Sequence, residues 1–186
     1  MKLASFVLRG QPTWGAVTSD GVVDLGRALG ARFPTLRAVL AADALDEVRS
    51  DADSRRADAP LDDVTFLPVI PDPDKIVCVG LNYEEHRIEA NREPTDNPAL
   101  FLRVPGSQVG HGQPIVVPRE STSLDYEGEI AVVIGRGGRR IAERDAWSHI
   151  AGYAPYNDGS IRDWQRHTTQ WTAGKNFAAT GGFGPW

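Results

Sequence analysis

Apolar and polar residues alternate along the first 25 positions with the period of a β-strand. Leu3 to Leu8 form one predicted strand, and Gly15 to Leu25 form two more on either side of Asp20-Gly21. An Asp-Gly pair between alternating apolar residues is a strong signal for a hairpin turn. The pattern therefore predicts a β-hairpin near the N-terminus.

From residue 34 the apolar spacing changes to that of a helix. Apolar side chains in residues 34–49 recur every three or four positions, which predicts one amphipathic helix. Residues 50–60 are polar, residues 61–70 are again apolar, and prolines follow at 68, 71 and 73. Because closely spaced prolines form stiff connectors, we place a boundary near Pro71. This predicts a small α+β domain over residues 1–71 and a second domain over residues 72–186.

The second region begins with a predicted strand, Lys75 to Gly80, and a predicted helix, Tyr83 to Asn91. Within that helix His86 and Glu89 are three positions apart and share a face. A carboxylate beside a histidine fixes its tautomer and makes it a better base for water. A surface helix with scattered charges fits the same spacing.

Two further strands are predicted downstream, over residues 98–105 and 110–118. The first carries Arg103, a candidate substrate contact. The second follows His111, which lies between two glycines and suits a turn better than a metal site.

Residues 124–135, LDYEGEIAVVIG, combine two glutamates with a continuous apolar run. Side chains two apart in a strand point to the same face, so Glu127 and Glu129 are expected side by side. Two neighbouring carboxylates repel each other unless water or a cation lies between them, or their pKa values rise. The stretch therefore indicates either a cation site or the solvent face of a half-exposed strand.

Two later stretches carry further candidate residues. Asp158 follows a short apolar segment at an Asn-Asp-Gly corner, where a strand would deliver a side chain to a site, although the same tripeptide also forms ordinary turns. Lys175 follows a glycine among tryptophans and phenylalanines. A lone lysine is more often a surface residue.

Composition narrows the class of protein. The chain has 186 residues, a net charge of −5 and one cysteine, Cys78. The acidic balance and the lack of a basic stripe argue against nucleic-acid binding. The start of the chain resembles no secretory signal, and no apolar run approaches a membrane span. We therefore expect a cytoplasmic protein with no membrane partner.

Taken in order, these stretches resemble the fumarylacetoacetate hydrolase family. The resemblance begins at KIVCVGLNY with His86 and continues through LDYEGE at residues 124–129. It then passes through Asn157-Asp158 and RDWQ to GKNF at 174–177 and FGPW at 183–186. The implied fold is α+β, namely the mostly β mixed-sheet roll of this family's catalytic domain, preceded by the small N-terminal domain.

The resemblance implies a divalent metal. Glu127, Glu129 and Asp158 match the three carboxylate ligands of the family. The chemistry agrees, because hard oxygen ligands without Cys or His favour Mg²⁺ or Mn²⁺ over zinc. Three ligands also leave positions open for a chelating substrate.

The resemblance also implies catalytic residues. His86 and Glu89 match the dyad that activates water, Lys175 matches the lysine of the site, and Gln165 falls at a polar substrate-contact position. Asn176 and Ala178 depart from the residues usual beside that lysine.

The reaction we expect is metal-assisted hydrolysis of a carbon–carbon bond in a 2,4-diketo acid through an enolate. The alternative is a tautomerase, isomerase or decarboxylase of a small β-keto acid such as oxaloacetate, because the family uses one enolate site for several reactions. A third hypothesis is a non-catalytic fragment, since the chain stops inside the family's catalytic domain. The family also implies a homodimer.

Overall fold

The computed structural model describes residues 1–89 and 91–186, and its first part is an antiparallel sheet. Its strands are β1 (Lys2–Leu8), β2 (Gln11–Thr18), β3 (Gly21–Asp24) and β4 (Val64–Phe66), in the order β3-β2-β1-β4. Arg9 and Gly10 have φ values of 52° and 79°, as the two-residue turn between β1 and β2 requires. The loop between β2 and β3 is Ser19-Asp20, and Gly21 of the predicted turn is the first residue of β3. The predicted hairpin is confirmed.

Short helices follow this hairpin: α1 (Leu25–Leu29), α2 (Leu36–Ala41) and α3 (Leu45–Asp53). The prediction of one helix over residues 34–49 was wrong, because the backbone at Asp43 turns left-handed with φ of 54°. The apolar spacing continues across this break because both helices bury the same side: Val39 of α2 and Val48 of α3 belong to one cluster of buried side chains. The spacing reports which side is buried and not whether the helix axis is continuous.

The second part of the chain contains several small sheets. Its strands are β5 (Ile76–Gly80), β6 (Ala99–Arg103), β7 (Gln108–Val109), β8 (Leu124–Asp125), β9 (Gly128–Ile134), β10 (Ile150–Asp158), β11 (Ser160–Ile161) and β12 (Gly181–Phe183). Its helices are α4 (Glu84–Glu89), α5 (Arg162–Gln165) and α6 (Thr172–Lys175), and 3₁₀ turns lie at Pro105–Ser107 and Glu143–His149. The main sheet has the order β7-β12-β10-β9, with β7 parallel to β12 and the other pairs antiparallel. The expected α+β fold with a mixed sheet is confirmed.

Two strand predictions and one helix prediction need correction. Residues 110–118, all within the described chain, form no strand. Pro114 and Pro118 lack the N–H that a ladder requires. The strand predicted over residues 124–135 is divided into β8 and β9, with Glu127 in the gap. The helix predicted from Tyr83 to Asn91 is the shorter α4, and residue 90 lies outside the described residues.

The two parts of the chain share a hydrophobic core. Trp14 and Val39 from the first part are in the same cluster of buried side chains as Ala154 and Phe183 from the main sheet. The inward side chains of β9, Ala131 and Val133, pack against this cluster. The predicted boundary near Pro71 therefore separates two regions of sequence that pack together.

The opposite faces of several strands are apolar and exposed. On β9 the outward residues Ile130, Val132 and Ile134 are 66%, 48% and 59% exposed, and Tyr153, which pairs with Val132, is 53% exposed. The strands β5 and β6 also expose apolar side chains: Val77, Val79, Leu100 and Leu102. The apolar run in β9 therefore supplies one covered face and one open face.

Candidate active site

Four separate elements bring charged side chains to one buried position. Asp158 is the last residue of β10, Arg103 is the last residue of β6, and Lys175 ends α6. Glu127 lies just before β9, where its backbone accepts a hydrogen bond from the Asp158 N–H at 2.9 Å. Because strands deliver their terminal side chains beyond the sheet, these ends create a polar site beside the apolar core.

Lys175 lies at the centre of the cluster. Its ammonium nitrogen is 2.9 Å from Glu127 Oε2 and 2.7 Å from Asp158 Oδ2, and the residue is only 1% exposed. The same nitrogen lies 4.9 Å from the ring centroid of Phe101, a geometry that favours a cation. The site therefore holds one buried positive charge between two carboxylates.

Arg103 holds the other oxygen of Asp158. Its Nη1 donates to Asp158 Oδ1 and to the carbonyl of Gly159, the latter at 3.0 Å, and its Nη2 donates to Thr180 Oγ1 at 2.8 Å. Its side chain has 0% exposure. A substrate could reach this guanidinium only if the side chains around it moved, so the predicted substrate contact of Arg103 stays a prediction.

Glu127 has a second cationic partner, Arg162. This guanidinium donates to Glu127 Oε1, to Asp125 Oδ2 at 2.8 Å and to Gln165 Oε1 at 3.0 Å. Burial would raise the pKa of Glu127, but the charges and hydrogen bonds of Lys175 and Arg162 outweigh burial and lower that pKa. Glu127 is therefore held ionised, and the predicted substrate contact Gln165 lies beside it on α5.

Glu129 has the opposite electrostatic environment. Burial raises its pKa, and the negative charges of Glu127 and Asp158 raise it further. The ammonium of Lys175 and a hydrogen bond from Tyr83 act in the other direction but do not reverse the shift. Three carboxylates thus come close enough to repel one another, and Glu129 has the least compensation.

A divalent metal places two requirements on these carboxylates, the geometry of the ligands and the chemistry of their donor atoms. Within residues 1–89 and 91–186, no three His, Cys, Asp or Glu side chains are placed so that they could hold a metal ion. The donor chemistry does fit, because Glu127 and Asp158 converge on one positive charge and Glu129 adds a third, poorly compensated carboxylate. The three-ligand site stays a prediction.

His86 and Glu89 are not joined in this geometry. Both lie on α4, where His86 is partly buried and Glu89 is exposed. In the described chain no hydrogen bond connects them, whereas Arg87 on the same helix pairs with Glu84 at 2.7 Å. The water-activating dyad stays a prediction.

Sequence reasoning assigned no role to several residues of this cluster. Arg162 is part of the RDWQ stretch, and its position four residues after Asp158 is a signal that could have identified it. Ser107, which contacts Arg103, lies four residues after it and has the same kind of local signal. Thr180, the other hydroxyl that contacts Arg103, carries no such signal, because the fold brings it there from a distant part of the chain.

No helix of the described chain has both the length and the apolar character needed to cross a membrane.

Comparisons with known proteins identify several relatives. The family model described as "Fumarylacetoacetate (FAA) hydrolase C-terminal" matches residues 75–186. Oxaloacetate tautomerase fahd2, mitochondrial, from Xenopus laevis is 38% identical over 144 residues, which are 76% of this chain and 45% of that protein. The chain thus spans less than half the length of this relative.

Solved structures show the same fold. Fumarylacetoacetate hydrolase from psychrophilic Exiguobacterium antarcticum has a TM-score of 0.74 and 29% identity, covering 100% of this chain and 65% of its own. The 5-carboxymethyl-2-hydroxymuconate delta-isomerase from Mycobacterium smegmatis has a TM-score of 0.74 and 26% identity, covering 100% and 66%. Relatives of this fold are therefore named for tautomerase, hydrolase and isomerase reactions.

Proposed function

Because the chain belongs to the fumarylacetoacetate hydrolase family, we propose that its site interconverts the keto and enol forms of a small β-keto acid of the oxaloacetate type. The observation that carries this proposal is the buried ammonium of Lys175, 2.9 Å from Glu127 and 2.7 Å from Asp158. Removal of the proton at C3 gives an enolate with negative charge on the oxygen at C2, and a fixed buried cation stabilises such charge. The name of the Xenopus laevis relative supports the substrate class.

A divalent cation is part of this proposal, held by Glu127, Glu129 and Asp158. When bound, Mg²⁺ or Mn²⁺ supplies a Lewis acid for the oxygens of a chelating keto acid. Arg162 keeps Glu127 ionised and oriented, while the buried ammonium of Lys175 adds a positive charge that stabilises the developing enolate through space, without direct contact. Each of these residues is already held by its neighbours before substrate arrives, which favours preorganised catalysis.

Tautomerisation requires a base that transfers a proton at carbon, whereas hydrolysis also requires the base to activate a water molecule. In the keto-to-enol direction one proton moves from C3 to the oxygen at C2, and in the enol-to-keto direction it moves back, so no water is consumed. His86 is the candidate for the C3 proton, and in this role it does not need Glu89 to orient an attacking water. Hydrolysis, in contrast, needs His86 and Glu89 to act as a pair.

Carbon–carbon hydrolysis of a 2,4-diketo acid is the second candidate. It is favoured by the structural likeness to the Exiguobacterium antarcticum hydrolase. It requires His86 and Glu89 to act together on water, and therefore requires α4 to bring them into contact.

One experiment separates these reactions. The full 186-residue chain is mixed with the enol form of oxaloacetate and with Mg²⁺ or Mn²⁺, while enol absorbance and pyruvate are followed together. We expect faster enol loss without pyruvate, and in Lys175→Met a rate lower by about 100- to 1000-fold. Pyruvate from oxaloacetate would instead show decarboxylation. Cleavage of an acylpyruvate without any effect on oxaloacetate would establish the hydrolase.

A further inference from the structure

Arg103 has an unusually complete set of hydrogen-bond partners. Its Nε donates to Ser107 Oγ at 3.3 Å, its Nη2 donates to Thr180 Oγ1 at 2.8 Å, and its Nη1 donates to both Asp158 and the carbonyl of Gly159. The residue is 2% exposed. All three guanidinium nitrogens therefore have protein partners.

The partners of Arg103 are themselves fixed. Ser107 Oγ donates to the carbonyl of Val104 at 2.8 Å, and Thr180 Oγ1 donates to the carbonyl of Phe177 at 2.8 Å. Each hydroxyl therefore uses its hydrogen on the backbone and turns a lone pair towards Arg103. Ser107 and Thr180 therefore fix the planar guanidinium independently of its contact with Asp158.

The carboxylate of Asp158 is in turn held at both oxygens. Arg103 binds Oδ1, and Lys175 binds Oδ2 at 2.7 Å. Two donors on opposite oxygens fix the rotation of a carboxylate group, which one donor alone would leave free to turn. The remaining lone pairs of Asp158 are thereby aimed in one direction.

We propose that Arg103 is a positioning residue that aims Asp158 at the divalent cation, and that it does not contact substrate. This inference rests on the proposed function, in which Asp158 is one of the three metal ligands. Partners that orient a ligand in this way typically change metal affinity by about 10- to 100-fold when they are removed. The proposal replaces the substrate contact expected from the sequence.

The geometry explains why arginine suits this position better than lysine. An ammonium offers its three donors on one atom, whereas Arg103 uses three nitrogens to contact Ser107, Thr180, Asp158 and Gly159. Arginine spreads its donors over a planar fork and stays charged when buried. Arg103→Lys therefore keeps the charge but loses the orientation.

The test compares Mn²⁺ binding and steady-state kinetics of the full chain and Arg103→Lys. Calorimetry should show about 10- to 100-fold weaker Mn²⁺ binding in the variant. At saturating Mn²⁺ the kcat for the keto acid should fall, while its KM stays within about twofold because no substrate contact is lost. The exposed Arg119→Lys is the matched control and should leave both quantities unchanged.

Several outcomes would overturn the inference. A KM for the keto acid that rises about tenfold or more in Arg103→Lys, with unchanged Mn²⁺ affinity, would make Arg103 a substrate contact. Wild-type chain that does not bind Mn²⁺ would also overturn it. If wild type binds Mn²⁺ but does not turn over the keto acid, the proposed function fails, and the binding comparison still decides the role of Arg103.

Thr180→Val provides a second variant if Arg103→Lys does not fold, as judged by circular dichroism. Valine keeps the shape of threonine but removes the oxygen that accepts from Arg103 at 2.8 Å. We expect Mn²⁺ binding to weaken in the same direction by a smaller factor. Unchanged binding in Thr180→Val would contradict the proposed role of the fixed guanidinium.

Discussion

Lys175 has its ammonium group in a buried position, and the free energy of placing it there depends on its two carboxylate partners. The side chain is 2% exposed, and those of Glu127 and Asp158 are 11% and 5% exposed. A buried charge loses its hydration, so it must recover that free energy from charges and hydrogen bonds nearby. The three residues are therefore energetically one unit, and removing the lysine leaves two carboxylates with less compensation.

Lys175→Met tests this coupling through stability. Methionine preserves most of the volume but removes the positive charge, and breaking a buried ion pair typically costs about 3–5 kcal/mol. Arg103 and Arg162 still partner the carboxylates, so we expect a loss of about 3 kcal/mol in urea unfolding without metal. Added Mn²⁺ should recover part of this loss, because a cation again compensates the carboxylates.

Lys75→Met is the matched control for that prediction. Lys75 pairs with Asp74 at 2.9 Å, but its side chain is 69% exposed. Exposed ion pairs contribute at most about 1 kcal/mol, and Mn²⁺ should not change the result. Equal losses in the two variants would show that Lys175 is not coupled to its carboxylates as the distances indicate.

At the level of elements, the position of Lys175 depends on the close approach of α5 and α6. A Cβ placed on Gly174 would lie 2.4 Å from the backbone nitrogen of Gln165. Side-chain contacts at this distance do not occur, so only glycine allows the two helices to pack as they do. The glycine before Lys175 therefore connects helix packing to the placement of the buried charge.

Gly174→Ala should push α6 away from α5 and move the Lys175 ammonium. Overpacking of this kind costs about 1–3 kcal/mol, which thermal unfolding would measure, and the turnover rate should fall further than the stability loss explains. Gly106→Ala is the control, because a Cβ on Gly106 has no atom within 4 Å. The prediction fails if Gly174→Ala and Gly106→Ala have the same stability and turnover.

Some helices and strands could be predicted from sequence patterns, and others could not. The N-terminal hairpin was predictable because its turn and alternation are local properties. The break at Asp43 was not, since apolar spacing is the same on both sides of it. The division between β8 and β9 was missed for a similar reason. Strand propensity around Glu127 does not reveal that the Glu127 carbonyl accepts a hydrogen bond from the Asp158 N–H outside the regular strand pairing.

The candidate site was predictable to the extent that ordered motifs identify its members. Glu127, Asp158 and Lys175, predicted as site residues, meet within hydrogen-bonding distance. The contacts of Arg103 with Asp158, Gly159 and Thr180 were not predictable, because the fold brings these residues together from distant parts of the chain. The placement of His86 and Glu89 depends on where α4 lies, which helical spacing alone does not determine.

At the scale of the whole molecule, the outer face of β9 and β10 is apolar and exposed. Its exposed apolar residues are Ile130, Val132, Ile134 and Tyr153, and β9 is also the edge strand of the main sheet. Monomeric proteins rarely expose contiguous apolar patches larger than a few hundred Å², and an open strand edge favours pairing with another chain. We propose that this outer face associates with a second copy of the chain.

Val132→Lys tests whether the outer face mediates self-association. We expect the wild-type chain of 20.2 kDa to sediment as a dimer or larger species at micromolar concentration, and the variant to sediment closer to a monomer. A lysine in the middle of the face would have to lose its hydration for two copies to associate, which disfavours the contact. Ile88→Lys is the matched control, because Ile88 is 62% exposed and lies on α4, outside the strands of the main sheet. A monomeric wild type at these concentrations, or equal sedimentation of the two variants, would show that the outer face does not hold copies of the chain together.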